Sequence, residues 1–137
     1  MTNRIPRLFS IILLSLVVYS AAFAQGDFAY ARIKAEADSL ITLGHSLRNK
    51  ERKIEQSIEV YTEALKRYSS IHSRSDQEAT IWHIGLSYYY LGKHQKALEN
   101  FQKSLQMLRE MDGNPRNISF TLNNIGLVYK SLSDYPK

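Results

Sequence analysis

Apolar residues recur along most of this chain at the spacing of one face of a helix. Between residues 28 and 47 they fall three or four positions apart, at Ala29, Ile33, Ala37, Leu40, Leu43 and Leu47. This is the period of an amphipathic α-helix. The spacing returns in four later segments, 54–71, 81–91, 97–111 and 120–132, which short polar stretches separate. We therefore predict an all-α chain with five helices.

The pattern also repeats over a longer distance. Gly44, Gly85 and Gly126 are equally spaced, each after a large apolar residue, and Tyr61 recurs as Phe101 at an offset shorter by one. A glycine inside a helix costs about 1 kcal/mol relative to alanine. We expect the close approach of a neighbouring helix to offset this cost. The sequence thus indicates a helical repeat.

The segment 81–105, IWHIGLSYYYLGKHQKALENFQKSL, resembles one tetratricopeptide repeat, a pair of antiparallel helices. The resemblance rests on Trp82, Ile84, Gly85, Tyr88, Leu91 and Gly92 in the first helix and on Ala97, Phe101 and Leu105 in the second. The period exceeds the usual length of about 34 residues and is similar to the variety of about 42 residues in kinesin light chain and many bacterial signalling proteins. The resemblance implies a right-handed α-solenoid with repeats at 37–73, 78–112 and, truncated, 119–137.

The first 24 residues have the three-part layout of a secretory signal peptide. Arg4 and Arg7 precede an apolar run, and Ala22-Phe23-Ala24 forms a small-x-small site. We predict cleavage after Ala24, which would leave a repeat domain at 25–137 in the bacterial periplasm or outside the cell. The alternative is an uncleaved inner-membrane anchor over residues 8–24, which is shorter than the roughly 20 apolar residues of a spanning helix. Only this alternative implies contact with a membrane.

Composition narrows the classes of function. The chain has no cysteine, so it has neither a disulfide framework nor a lipid-modified cysteine. Its net charge of +5 is spread evenly, and no basic stripe interleaved with aromatic residues suggests a nucleic-acid partner. No glycine-rich phosphate-binding loop is present. We therefore expect no cofactor and no nucleic acid.

The titratable residues offer little chemistry. Glu55, Glu59 and Glu63 share one side of the second helix, which suggests either an acid or metal site or a solvated face. We favour the solvated face because the opposite side carries the apolar positions of the repeat. No two histidines have the i, i+4 spacing beside a carboxylate that a helical zinc site requires. No nucleophile, base and oxyanion donor can be assembled, so we expect neither a metal nor catalysis.

The resemblance implies that a partner binds the concave surface made by the first helix of each repeat. Projected onto this chain, that surface comprises Ile41, His45, Arg48, Trp82, His83, Leu86, Tyr89, Tyr90, Asn123, Asn124, Leu127 and Lys130. The second repeat has aromatic residues and leucine where the family clamps a carboxylate, so we do not expect such a clamp. Paired asparagines can hold an extended peptide backbone, because an amide both donates and accepts. For Trp82, Tyr89 and Tyr90, packing against a neighbouring helix is the alternative.

Two functions remain open at this level. The first is a non-catalytic scaffold that binds a peptide or partner protein in the groove. The second is the N-terminal input region of a larger bacterial signal-transduction protein, such as a histidine kinase or regulator, with its chemistry beyond residue 137.

The third repeat lacks its second helix in this sequence. We expect the apolar surface of Ile125, Tyr129 and Leu132 to stay partly exposed, because an array needs a polar terminal cap. Fraying of this helix, or self-association of the chain through it, would follow.

Overall fold

The computed structural model describes the backbone of residues 5–134 and the side chains of residues 15, 16 and 18–133. This range contains five helices and no strand: α1 (Ile5–Asn49), α2 (Ile54–Ser70), α3 (Arg74–Tyr90), α4 (His94–Glu110) and α5 (Pro115–Asp134). The all-α prediction is confirmed, and the predicted end of α2 is correct to one residue. The right-handed sense of the solenoid stays a prediction.

The chain divides into two compact units, residues 1–33 and residues 34–137. Most described side chains of the first unit are exposed, including Leu16, Val18 and Tyr19. The predicted signal segment falls in this unit, with residues 1–4 outside the described range. Its cleavage stays a prediction.

Within the part of the chain that the structure describes, no helix combines the length and the hydropathy needed to span a membrane.

The second unit is a stack in which successive helices pack on one another. α3 packs against α2 and α4, and α5 packs against α4. The starts of α3 and α5 are separated by the offset of the three glycines, and those of α2 and α4 by the offset between Tyr61 and Phe101. The sequence offsets thus reappear in the fold. One buried cluster comprises Ala37, Ala64 and Tyr68, and another comprises Ala97, Leu98, Phe101 and Val128.

The turn after α3 reverses the chain between the two helices of the second repeat. Gly92 has a φ of +70°, in the left-handed region that glycine enters without steric cost. The backbone N–H of Gly92 donates to the carbonyl of Tyr89 at 3.0 Å, and that of Lys93 donates to Tyr88 at 2.9 Å. These bonds satisfy carbonyls at the end of α3 and reverse the chain into α4. Gly92 therefore ends α3 and begins the turn into α4.

The outer side of α5 is apolar and accessible. Tyr129 is 53% exposed and Leu132 is 41% exposed, as predicted, while Ile125 is half-buried. Fraying and self-association through this helix stay predictions.

Candidate functional site

Two adjoining pockets are lined mainly by residues of α1, α3 and α5, the first helices of the three repeats. The larger, of about 330 Å3, lies between α3 and α5 and is lined by Glu78, Ala79, Trp82, His83, Asn117, Phe120 and Thr121. The smaller, of about 230 Å3, lies between α1 and α3 and is lined by Asp38, Ile41, Tyr68, Asp76, Ala79, Thr80 and His83. Ala79 and His83 line both pockets, so the two adjoin at α3, and we refer to this depression as the groove.

Several residues that line the groove recur with the period of the repeat. The offset that separates the three glycines also relates Asp38 to Ala79 and Ala79 to Phe120, and it relates Ile41 to Trp82. Equivalent positions of α1, α3 and α5 therefore face the same depression. The side chains at these positions differ, so each repeat contributes different chemistry.

A cluster of two histidines, an arginine and a tyrosine lies beside the groove. The Nε2 atoms of His45 and His83 are 3.2 Å apart, and Arg48 Nη1 lies 3.4 Å from His83 Nδ1. The ring of Tyr61 stacks on that of His83, with the centroids 5.5 Å apart. Because arginine can only donate, Nδ1 of His83 accepts and its Nε2–H is left to donate to His45.

Burial sets the charge of this cluster. Burial, together with the charges of His45 and Arg48, lowers the pKa of His83 to about 3. Burial and Arg48 also lower the pKa of His45. Both imidazoles are therefore neutral at pH 7, and Arg48 carries the cluster's positive charge.

A buried carboxylate lines the larger pocket. Glu78 is only 6% exposed, and its Oε1 accepts a hydrogen bond of 2.5 Å from the hydroxyl of Ser104 on α4. Burial raises the pKa of Glu78, and the bond from Ser104 opposes that rise. Trp82 borders the same pocket, with its ring centroid 6.2 Å from that of Phe101 in the core.

The structure brings together some of the predicted site residues and separates others. Ile41, Trp82 and His83 line the groove, and His45 and Arg48 join His83 in the cluster beside it. Leu86 and Tyr89 pack against the core cluster around Phe101. The remaining predicted residues line neither pocket of the groove, and all but half-buried Asn124 are exposed: Tyr90, Asn123, Asn124, Leu127 and Lys130.

The packing of the three aromatic residues differs. Trp82 is half-buried, lines the larger pocket and also packs against the core. Tyr89 packs against the core, and Tyr90 is 56% exposed. Trp82 therefore packs against the core and also borders the groove, and its role in binding stays a prediction.

Several groove residues were not predicted from the sequence. The offset of the repeat, applied one helical turn before Ile41 and Trp82, would have identified Asp38, Ala79 and Phe120. No comparable signal marks Glu78, because a single acid near the start of a helix is usually solvated. Among the described residues, no group of three or more His, Cys, Asp and Glu side chains could hold a metal ion.

Comparison with known proteins places the repeat in a family. The family model for the tetratricopeptide repeat matches residues 35–110 and, overlapping them, residues 77–137. The searches of curated proteins and of solved structures gave no match.

Proposed function

The chain belongs to the tetratricopeptide repeat family, and from this premise we propose that it is an interaction scaffold that binds an extended peptide segment of a partner protein in the groove. Tetratricopeptide repeats generally mediate interactions between proteins. The finer proposal, which concerns a peptide and this groove, is supported by the geometry of α1, α3 and α5.

The observation that carries the proposal is that the two pockets adjoin. They share Ala79 and His83 of α3, and their other lining residues lie mostly on α1, α3 and α5. Its walls combine the apolar surfaces of Trp82 and Phe120 with polar groups, including Asn117. Pockets of a few hundred Å3 with mostly apolar walls and a few polar groups are typical of binding sites.

The proposal assigns no catalysis to the chain. Two serine hydroxyls donate to carboxylates of the groove, Ser73 to Asp76 at 2.6 Å and Ser104 to Glu78 at 2.5 Å. Neither serine lines either pocket of the groove, so a partner bound there would not meet their hydroxyl groups. A nucleophile must lie within reach of the group it attacks, and we therefore treat both bonds as structural.

We also propose that the chain is exported and that cleavage follows Ala24. The charged, apolar and small-residue layout of residues 1–24 supports this proposal. Expression in a bacterium followed by N-terminal sequencing of the periplasmic protein tests it. We expect Gln25 as the first residue, and a membrane-bound protein that keeps residues 1–24 would contradict the proposal.

A peptide library tests the binding proposal. Random 12-residue peptides are panned against the full chain, and the selected peptides are titrated by calorimetry into the wild type, Trp82→Leu and Tyr90→Leu. Trp82 lines the groove, whereas Tyr90 is exposed and lies outside it. Losing a tryptophan at the centre of an interface costs about 2 kcal/mol or more.

We expect Trp82→Leu to weaken binding by at least about tenfold. The control Tyr90→Leu should change it by less than about twofold. Equal affinities in all three proteins would place the peptide elsewhere, and a library without binders would contradict the proposed function.

A further inference from the structure

The carboxylate of Glu78 has fewer hydrogen-bond and ion-pair partners than a buried charge needs. Its only described hydrogen bond comes from Ser104, and no ion pair involves it among the described residues. The residue is nevertheless only 6% exposed, and it lines the larger pocket. A buried charge is costly unless it is paired. The pocket therefore contains a buried acidic group whose charge a cationic ligand could pair.

The acids of the smaller pocket are different. Lys34 Nζ lies 3.1 Å from Asp38 and 3.2 Å from Asp76. Asp38 also accepts from the hydroxyl of Tyr68 at 2.6 Å, and Asp76 accepts from Ser73. These carboxylates are already paired within the chain. Glu78 has no such cation beside it among the described residues. A cation supplied by a ligand should therefore be stabilised more in the larger pocket than in the smaller one.

The walls of the larger pocket suit a cation. Trp82 and Phe120 both border it, and the faces of aromatic rings attract cations. Phe120 is 52% exposed, and the guanidinium of Arg116 lies 5.5 Å from its ring centroid. A ligand cation would share this ring with Arg116 or displace it. His83, the other titratable lining residue, is neutral at pH 7 because burial depresses its pKa.

We propose that the larger pocket binds a lysine or arginine side chain of the partner peptide, with the Glu78 carboxylate as its counter-ion and Trp82 and Phe120 as aromatic walls. This inference rests on the proposed function and names the chemistry that the groove selects. A neutral side chain in the pocket would displace water from the carboxylate without replacing its hydrogen bonds. The larger pocket should therefore bind a cationic side chain more tightly than a neutral one, because the neutral one leaves the carboxylate of Glu78 without these hydrogen bonds.

A double-mutant cycle tests the pairing. Peptides selected on the full chain are resynthesised with each lysine or arginine replaced by norleucine. Both forms are titrated into the wild type, Glu78→Gln and Glu99→Gln. Glutamine keeps the acceptor for Ser104 and removes the charge. Glu99 is an exposed acid on α4 that lines neither pocket, so its variant controls for the change in net charge.

We expect one basic position whose replacement weakens binding to the wild type and to Glu99→Gln by about tenfold, the effect of one charged hydrogen bond. In Glu78→Gln the same replacement should change affinity by less than about twofold. An equal loss in all three proteins, or selected peptides without a basic residue, would overturn the inference and leave the proposed function standing.

Two further experiments apply if the double-mutant cycle cannot be completed. If Glu78→Gln does not fold, Phe120→Leu replaces it, because Phe120 is exposed and its loss removes one aromatic wall without opening the core. That variant should lose severalfold in affinity for the basic peptides only.

If no peptide binds, N-acetyl-lysine methylamide is titrated against the fluorescence of Trp82, the only tryptophan in the chain. A saturable change that acetyl-norleucine methylamide does not give supports the pocket, and no change overturns it.

Discussion

The ring of Phe101 lies so close to Gly85 that a β-carbon built on that glycine would be 3.0 Å from two ring carbons. Tyr61 has the same relation to Gly44, where the β-carbon would lie closer still to the ring. At Gly126, the third glycine of the series, nothing lies within 4 Å of such a β-carbon. Three positions that are equivalent in sequence therefore have three different environments.

Alanine at these three glycines should give three different stabilities. Helix propensity favours alanine by about 1 kcal/mol at each site. At Gly85 the fully buried Phe101 cannot move away easily, and overpacking of a core costs about 1–3 kcal/mol. We expect Gly126→Ala to stabilise the chain, Gly85→Ala to destabilise it and Gly44→Ala to destabilise it most. Urea unfolding of the three variants tests this order, and a stabilising Gly85→Ala would contradict it.

Tyr61→Phe should stabilise the protein. The hydroxyl of Tyr61 is buried and finds no hydrogen-bond partner among the described residues. An unsatisfied buried polar group costs about 1–3 kcal/mol. Phenylalanine keeps the ring that stacks on His83 and is the residue at the equivalent position 101.

The reciprocal change, Phe101→Tyr, is the matched control and should destabilise the chain because Phe101 is fully buried. Thermal melts of both variants measure the effects. A lower melting temperature for Tyr61→Phe would show that the hydroxyl contributes a favourable interaction.

Periodicity predicted the backbone well and the side-chain chemistry poorly. Gly85 lies where Phe101 approaches α3 closely, and Gly92 lies where the backbone has a positive φ, so the glycines themselves marked both positions in the sequence. The contact between His45 and His83 joins residues 38 apart in sequence, and no local pattern marks it. Glu78 is buried beside Ser104, which is 26 residues away in sequence. Such pairs differ from repeat to repeat and depend on the packed helices.

Acidification should destabilise the chain through His83. Its folded pKa of about 3 lies below the value of about 6.5 expected in the unfolded chain. The unfolded state therefore binds a proton first as the pH falls, and the stability present above pH 6.5 is lost towards pH 3. The slope is at most about 1.4 kcal/mol per pH unit for one histidine.

Urea midpoints at pH 7, 6 and 5 measure this loss. We expect the midpoint of His83→Gln to depend less on pH than that of the wild type, because the largest shifted titration is removed. His72→Asn is the control, since His72 is exposed at the end of α2, where its φ of 54° is tolerated by asparagine. Parallel losses in the wild type and His83→Gln would contradict the prediction.

Glu78→Gln should raise the melting temperature at pH 7. The folded pKa of Glu78 is raised by burial, so its contribution to stability is present at low pH and is lost as the pH rises through that pKa. Glutamine removes the charge and still accepts from Ser104. We expect an increase of up to about 4 °C, equivalent to about 1 kcal/mol.

The increase should shrink as the pH approaches 4, because the wild-type carboxyl then becomes neutral as well. Calorimetric melts at pH 7 and pH 4 compare the two proteins. A variant less stable than the wild type at pH 7 would show that the carboxylate is favourably compensated inside the fold.

The packing of each helix on the next in the chain also determines how the protein reaches its structure. The cores between α2 and α3, between α3 and α4 and between α4 and α5 each join segments that adjoin in sequence. Closing such short loops costs little entropy, and chains dominated by local contacts fold within microseconds to milliseconds. Folding can begin at any helix pair and spread to its neighbours. The loops between these helices should therefore accept insertions with little change in folding rate.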